Sequence, residues 1–459
     1  MDHNNNNNHI IRIPEVSKDR VSLMHQKISE SPRLLSHGAG KPSCCIFRVP
    51  QSLIEVNGKT YQPHIVSLGP YHRGDPRLRM IEEHKWRYLG SLLARTEENR
   101  GSKLEDYMSA MAELEEEARE CYAETIHLDS DEFAEMMVLD GCFIIELLRK
   151  AANLAPIEPD DPIFSMAWII PFFYRDLLRL ENQIPFLVLE RLFEISSSSE
   201  EEEAKKDEHK LSDSNHPSLS LLALRFFDHV MQRAEGAIEK LHRDLRPWHL
   251  LDLTRRSLIP PSHPEPRSRR SAPSHIIHCV SKLRRAGIKL VRAEGGEEDS
   301  FLCVGFRRGV LSMAPITIDD FTTSFLLNCV AFEQCHRSCT KHFTTYATLL
   351  DCLINTYRDV EYLSDRNIVE NFYGNDGEVA RFINNLGRDV AFDIDVCYLA
   401  DLFDDVNHYY KNSWHVHWAG FKYTYFDTPW SFISALAAFI LLLLTVAQTF
   451  YTVYSYYKP

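Results

Sequence analysis

Apolar residues recur every three or four positions in MIEEHKWRYLGSLLAR, KLEDYMSAMAELEEEARECYAETI and DEFAEMMVLDGCFIIELLRKA, with acidic residues between them. That period is helical and predicts three amphipathic helices packed on one another. A further run, MAWIIPFFYRDLLRLENQIPFLVLERLFEI, holds Pro171 and Pro185 in apolar surroundings. Proline lacks the amide hydrogen and clashes with the preceding turn, so each should start, break or kink a helix. Helical spacing resumes at Ile276 and again from Asp320 to about residue 412, around a short β-like piece at 301–318. CIFRVPQSLIEVNGKTYQPHIV reads differently: its Asn57-Gly58 pair between β-branched segments signals a hairpin. The expected fold is mainly α, a large helical body with a minor N-terminal β element.

The last apolar run changes the picture. Residues 428–457 carry no charge and centre on FISALAAFILLLLTVAQTF, longer than the roughly 20 residues that span a bilayer. Trp418, Tyr423, Tyr425 and Trp430 precede it, and Tyr451, Tyr454, Tyr456 and Tyr457 close it, as interfacial aromatic belts do. The expected organisation is a poorly ordered arm at 1–42, a helical domain at 43–412 and an aromatic juxtamembrane segment at 413–430. A transmembrane helix at 431–454 and a short tail at 455–459 follow. The charged insert SSSSEEEEAKKDEHKLSDSNHPS within 196–218 and the proline- and arginine-rich insert at 260–274 should be flexible.

Of 459 residues, 44% are hydrophobic and the formal net charge is -14. That balance argues against a nucleic-acid binder, which needs surplus lysine and arginine to neutralise phosphates. The charge is uneven: residues 97–140 hold fifteen acidic and three basic side chains, and residues 255–292 ten basic and one acidic. This suggests internal pairing, an acidic partner or a solvated face. Eleven scattered cysteines, no signal-peptide core at the start and no Asn-x-Ser/Thr acceptor fit a reducing compartment. The expected topology is tail-anchored, with the body in the cytosol and the plasma membrane as the suspected location.

Tests for known chemistry mostly fail. GKT at 58–60 lacks the upstream glycine of a phosphate loop, because Leu53 stands there. Gly38 and Gly40 begin a dinucleotide-like pattern that Ser43 ends. Cys335, Cys339 and His342 have a spacing that suits one helix face and zinc, but no fourth ligand is evident. We therefore expect no metal and no cofactor. Asp140 lies beside the apolar face of its helix, where burial disfavours the charged form unless partners compensate. A satisfied structural aspartate is the favoured reading, with Gly141 allowing close helix contact. Glu181, Asn182 and Gln183 interrupt an apolar run before Pro185 and can satisfy the backbone groups it frees. YQPHIVSLGPYHRG at 61–74 reads as a rigid packed turn, in which His72 and Arg73 are candidates to meet an anionic ligand.

Taken together, CCIFRVP, YQPHIVSLGPYHRG, EEHKWRYL, MMVLDGCFIIELL, DLLRLENQIPF, AGIKL, IDD, NCVAFEQ and the terminal PWSFISALAA run resemble the plant family known as domain of unknown function 247. The resemblance covers residues 44–454 in the family's order. It implies a plant protein with a mainly helical body and a C-terminal transmembrane segment, and no established catalytic residues. Two functions follow as expectations. One is a membrane-tethered recognition, signalling or protein-interaction module, with the bilayer and an unidentified protein as partners. The other is a membrane-anchored, hydrolase-like enzyme using Asp140, Glu181 and His72. The candidate binding residues are His72, Arg73, Asp140, Glu181, Asn182 and Gln183.

Overall fold

The computed structural model describes residues 17–29, 35–36, 38–197, 217–231, 233, 236, 238, 245–260, 277–293, 300–393, 397–411 and 429–457. The start of the arm, most of both inserts and the juxtamembrane segment to residue 428 lie outside the described residues. Within the arm, α1 spans Lys18–Ser29 and buries none of its side chains.

Three long helices come where the periodicity puts them: α3 at Arg79–Arg100, α4 at Leu104–Glu120 and α5 at Ser130–Ala151. Their ends are chemically marked. Asp129 caps α5 by accepting from Glu132 N–H at 2.8 Å, and Gly101 ends α3 at φ 70°. The axis of this half is α5, buried on nearly every side between α3, α4 and α8 (Phe186–Ile195). A side chain at Gly141 would overlap Leu192 of α8, so the missing Cβ sets how closely these helices approach. Both prolines begin helices. Pro171 sits in the first turn of α7 (Ile169–Asp176), after the short α6 (Pro162–Ser165), and Pro185 is the residue before α8.

Helices α9 (Leu219–Met231) and α10 (Leu250–Arg256) join this half to the second. There, α11 (Val280–Arg285) precedes a three-stranded sheet of β1 (Lys289–Arg292), β2 (Val304–Arg307) and β3 (Val310–Met313). Strand β3 is central, parallel to β1 with Lys289 opposite Val310 and antiparallel to β2 with Val304 opposite Met313. The β2–β3 turn, Arg308-Gly309, has φ of 50° and 79°, the left-handed pair that a two-residue hairpin needs. Strands β4 (Ile316–Ile318) and β5 (Val369–Asn371) pair in parallel, Ile316 opposite Val369. Around them pack α12 (Asp320–Cys335), α13 (His342–Leu353), α14 (Tyr357–Asp365), α15 (Asp376–Leu386) and α16 (Ala400–Lys411). A continuous apolar core runs through both halves.

The expected hairpin at Asn57-Gly58 is a helix instead. Pro50 starts α2 (Gln51–Asn57), and a 3-10 turn follows at Gly58–Thr60. Asn57 and Gly58 have φ of -137° and -51°, so the pair never takes the left-handed geometry on which the signal depends. The minor β structure therefore sits mainly in the second half, near the β-like piece at 301–318. The last element, α17, spans Pro429–Tyr457. Its stretch Ile433–Tyr454 is long and apolar enough to cross a membrane and has none of its length buried in the protein.

Candidate functional site

The segment 61–74 runs beside α5 and the turn after α7, and its backbone explains the polar residues around it. Asp176 Oδ2 accepts from the N–H groups of His64 and Ile65 at 2.8 Å and of Val66 at 3.3 Å. Asn182 Oδ1 accepts from Leu68 N–H at 2.8 Å, and Asp140 Oδ2 from Gly69 N–H at 2.7 Å. A run of consecutive amides turned one way resembles an anion cradle, but this one is filled by the protein's own carboxylates. Gly69 makes the bend possible. Its φ is 69°, and a Cβ there would come 2.7 Å from Gln183 O.

Each buried carboxylate has a cation. Lys85 Nζ donates to Asp140 Oδ1 at 2.6 Å and to Ser67 O at 2.5 Å, and lies 2.5 Å from Glu82. Arg179 Nε donates to Asp176 Oδ1 at 3.0 Å. Burial works against the charged form of Asp176, but bonds from His64, Arg179 and the loop amides outweigh it and hold the carboxyl below its ordinary range. Glu181 follows the same balance. Burial opposes its charge, whereas His72 Nε2 at 3.3 Å, Val49 N–H at 2.8 Å and Arg48 at 3.1 Å favour it, and the net pKa is lowered. A carboxylate held this way accepts hydrogen bonds and is a poor proton donor.

Asn182 Nδ2 donates to Val66 O and Asp176 O, and Gln183 Nε2 to Leu177 O and Arg179 O, while Gln183 Oε1 accepts from Leu251 N–H at 3.2 Å. These two amides satisfy the irregular backbone between α7 and α8. His72 and Glu181 differ from the rest because they line a cleft of about 480 Å³, together with Arg48, Arg77 and Glu124. Arg73 does not share it; that side chain is exposed and donates to Glu132 O at 2.9 Å.

A second polar cluster was not anticipated. Glu333, fully buried near the end of α12, accepts from Arg255 Nε at 2.9 Å and from the N–H groups of Phe343 and Thr344 at the start of α13. Asp252 takes Arg256 at 2.7 Å, and His249 caps α10 through Nδ1 while its Nε2 meets Cys45 O at 3.2 Å. Asn328 Oδ1 accepts from Leu180 N–H at 2.9 Å and links the two clusters. The supposed zinc face is also rearranged. Helix α12 stops at Cys335, Cys339 lies in the following turn, and His342 opens α13 with its ring stacked on Tyr398 at 4.7 Å. The spacing therefore spans a helix break rather than one helix face.

These features define a class: a mainly helical body whose backbone irregularities are held by buried ion pairs, followed by one apolar helix outside the core. The chain belongs to the DUF247 family of plant proteins of unknown function, whose profile matches residues 46–444. It is 36% identical to the UPF0481 protein At3g47200 of Arabidopsis thaliana, over 93% of this chain and 90% of that one. A second UPF0481 protein of the same plant, At3g02645, is 24% identical over 92% of each chain. No solved structure matches the chain.

Proposed function

We propose that the protein is a single-pass, membrane-tethered recognition module that presents its helical body to a protein partner on the cytosolic side, with the plasma membrane as its site. The observation that carries this reading is α17. At 1.5 Å per residue, Ile433–Tyr454 extends about 33 Å, close to the ~30 Å hydrocarbon core of a bilayer. Leu441, Leu442, Leu444 and Phe450 are each more than 60% exposed. Such a strip is unfavourable in water and suited to lipid. The eleven cysteines, kept as thiols, agree with a reducing compartment.

Recognition rather than chemistry is supported by what the polar side chains already do. Asp140, Asn182 and Gln183 are committed to backbone groups of the fold, and Glu181 is held ionised beside His72 by two donors, Val49 N–H and Arg48. The His72 cleft, rimmed by Arg48, Arg77 and Glu124, is the proposed contact region, with Arg73 beside it on the exposed turn. Proximity labelling in native plant membranes tests this. The expected result is a defined protein neighbour that survives mild-detergent purification and is lost from the His72→Ala, Arg73→Ala double variant with the fold retained. Equal recovery of that neighbour with the double variant would remove the cleft from the proposal.

A further inference from the structure

Helix α1 stands apart from the rest of the fold. All twelve of its residues are exposed, and none is buried against the body. A helix of that length is marginal in water on its own, so its order calls for a surface outside the body. Its residues are sorted for one. At about 100° per residue, Val21, Met24 and Ile28 fall within about 60° of one another around the helix, and they are 39%, 57% and 77% exposed. Arg20 and Lys27 border that stripe on one side and Lys18 and His25 on the other, while Asp19, the one acid of the helix, lies on the opposite face.

Charge narrows the choice of partner. Lys18, Arg20 and Lys27 against Asp19 leave α1 at +2, in a chain whose formal net charge is -14. An apolar stripe flanked by cations suits an anionic bilayer surface, the aliphatic side chains at the acyl boundary and the long basic side chains reaching back to the headgroups. The place of α1 along the chain agrees with this. Ser36 fixes the arm to the body, donating from N–H to Ala123 O at 2.8 Å and from its hydroxyl to Tyr122 O at 2.7 Å, so the end of α1 at Ser29 lies at most about 25 Å away. Lys411 ends α16 and Pro429 begins α17, so even a fully extended link keeps the body within about 65 Å of the apolar helix.

We propose that α1 lies on the surface of a bilayer rich in anionic lipid, with Val21, Met24 and Ile28 toward the acyl chains and Lys18, Arg20 and Lys27 among the headgroups. This contact rests on the tether proposed above. A stripe of three residues binds a membrane weakly on its own, but α17 in the same bilayer makes the contact intramolecular, at roughly millimolar effective concentration. Anionic lipid is concentrated in the cytoplasmic leaflet, so α1 draws the Ser36 anchor, and the end of α4 beside it, toward that leaflet.

The test uses the full chain in nanodiscs of phosphatidylcholine with or without phosphatidylserine, read by hydrogen exchange of a peptide covering α1. Exchange should be at least about tenfold slower in the discs that hold phosphatidylserine, and raised salt should remove the difference. Arg20→Gln with Lys27→Gln, and separately Met24→Ser with Ile28→Ser, should each restore fast exchange. None of these side chains is buried, so exchange of α5 in the same samples should not change. Fast exchange of α1 in both lipids would overturn the proposal on the unaltered chain alone, and so would slow exchange in both, which packing on the body or on a second copy would give. A chain absent from the disc fraction removes the tether and this contact with it, a result distinct from a chain that enters the discs with α1 unprotected.

Discussion

Asp140 and Lys85 make the sharpest test of how segment 61–74 is held. Their side chains are 4% and 1% exposed, and they are joined at 2.6 Å. Exchanging Asp140 for leucine leaves Lys85 buried beside Ser67 O and the half-buried Glu82, and strips Gly69 N–H of its acceptor. With only the half-buried Glu82 left beside Lys85, the charge costs at most the about 3–5 kcal/mol of an unpaired buried ion, and an orphaned amide adds about 1–3 kcal/mol. Replacing both partners together (Lys85→Met with Asp140→Leu) removes the buried cation and leaves the orphaned amide and a partly exposed Glu82 without its lysine. Hydrogen exchange of a peptide covering 61–74, in the full chain in detergent, reads the local opening free energy. Asp140→Leu should lower that free energy by about 3 kcal/mol or more, upwards of a hundredfold faster exchange. The double variant should recover most of it. A loss below about 1 kcal/mol, or a double variant no better than the sum of the singles, would show that the pair does not hold the segment.

Two further outcomes follow from the same geometry. Gly69→Ala places a Cβ at φ 69° and against Gln183 O; it should destabilise by about 2–4 kcal/mol, measured by urea unfolding, and a neutral effect would refute the assigned turn. His249, pushed down to about 4 chiefly by burial, is neutral when folded and titrates near 6.5 when unfolded. The unfolded chain therefore takes up the proton first as pH falls. Stability is complete above about pH 6.5 and declines toward pH 4 by up to about 3 kcal/mol from this group. His249→Asn, which keeps an N-cap acceptor, should flatten that part of the unfolding curve relative to the native chain, and an unchanged slope would contradict the assignment.

How much of this was legible in the sequence depends on range. Local signals carried the helices: apolar spacing located α3, α4 and α5, and the prolines marked the starts of α7 and α8. The hairpin failed because Asn57-Gly58 signals a turn only if both residues go left-handed, and Pro50 and the buried Leu53 favour a helix there. Several of the stretches that carry the family resemblance supply part of the polar framework. Arg48 comes from CCIFRVP, Gly69 and His72 from YQPHIVSLGPYHRG, Lys85 from EEHKWRYL, Asp140 from MMVLDGCFIIELL, and Asn328 and Glu333 from NCVAFEQ. Their partnerships were not legible, because Asp140 and Gly69 are 71 residues apart and Arg255 and Glu333 are 78 apart. No periodicity reports such a pairing. Arg255 reads as one of a basic run until its buried carboxylate is seen.

Membrane tethering is the part of the account on which the proposed function rests, and alkaline carbonate extraction tests it most directly. The full chain, expressed in plant cells, should stay in the membrane pellet after carbonate treatment, while a chain lacking Pro429–Tyr457 should move to the supernatant. Release of the full chain by carbonate, with the protein still folded and intact, would contradict the span and the function built on it.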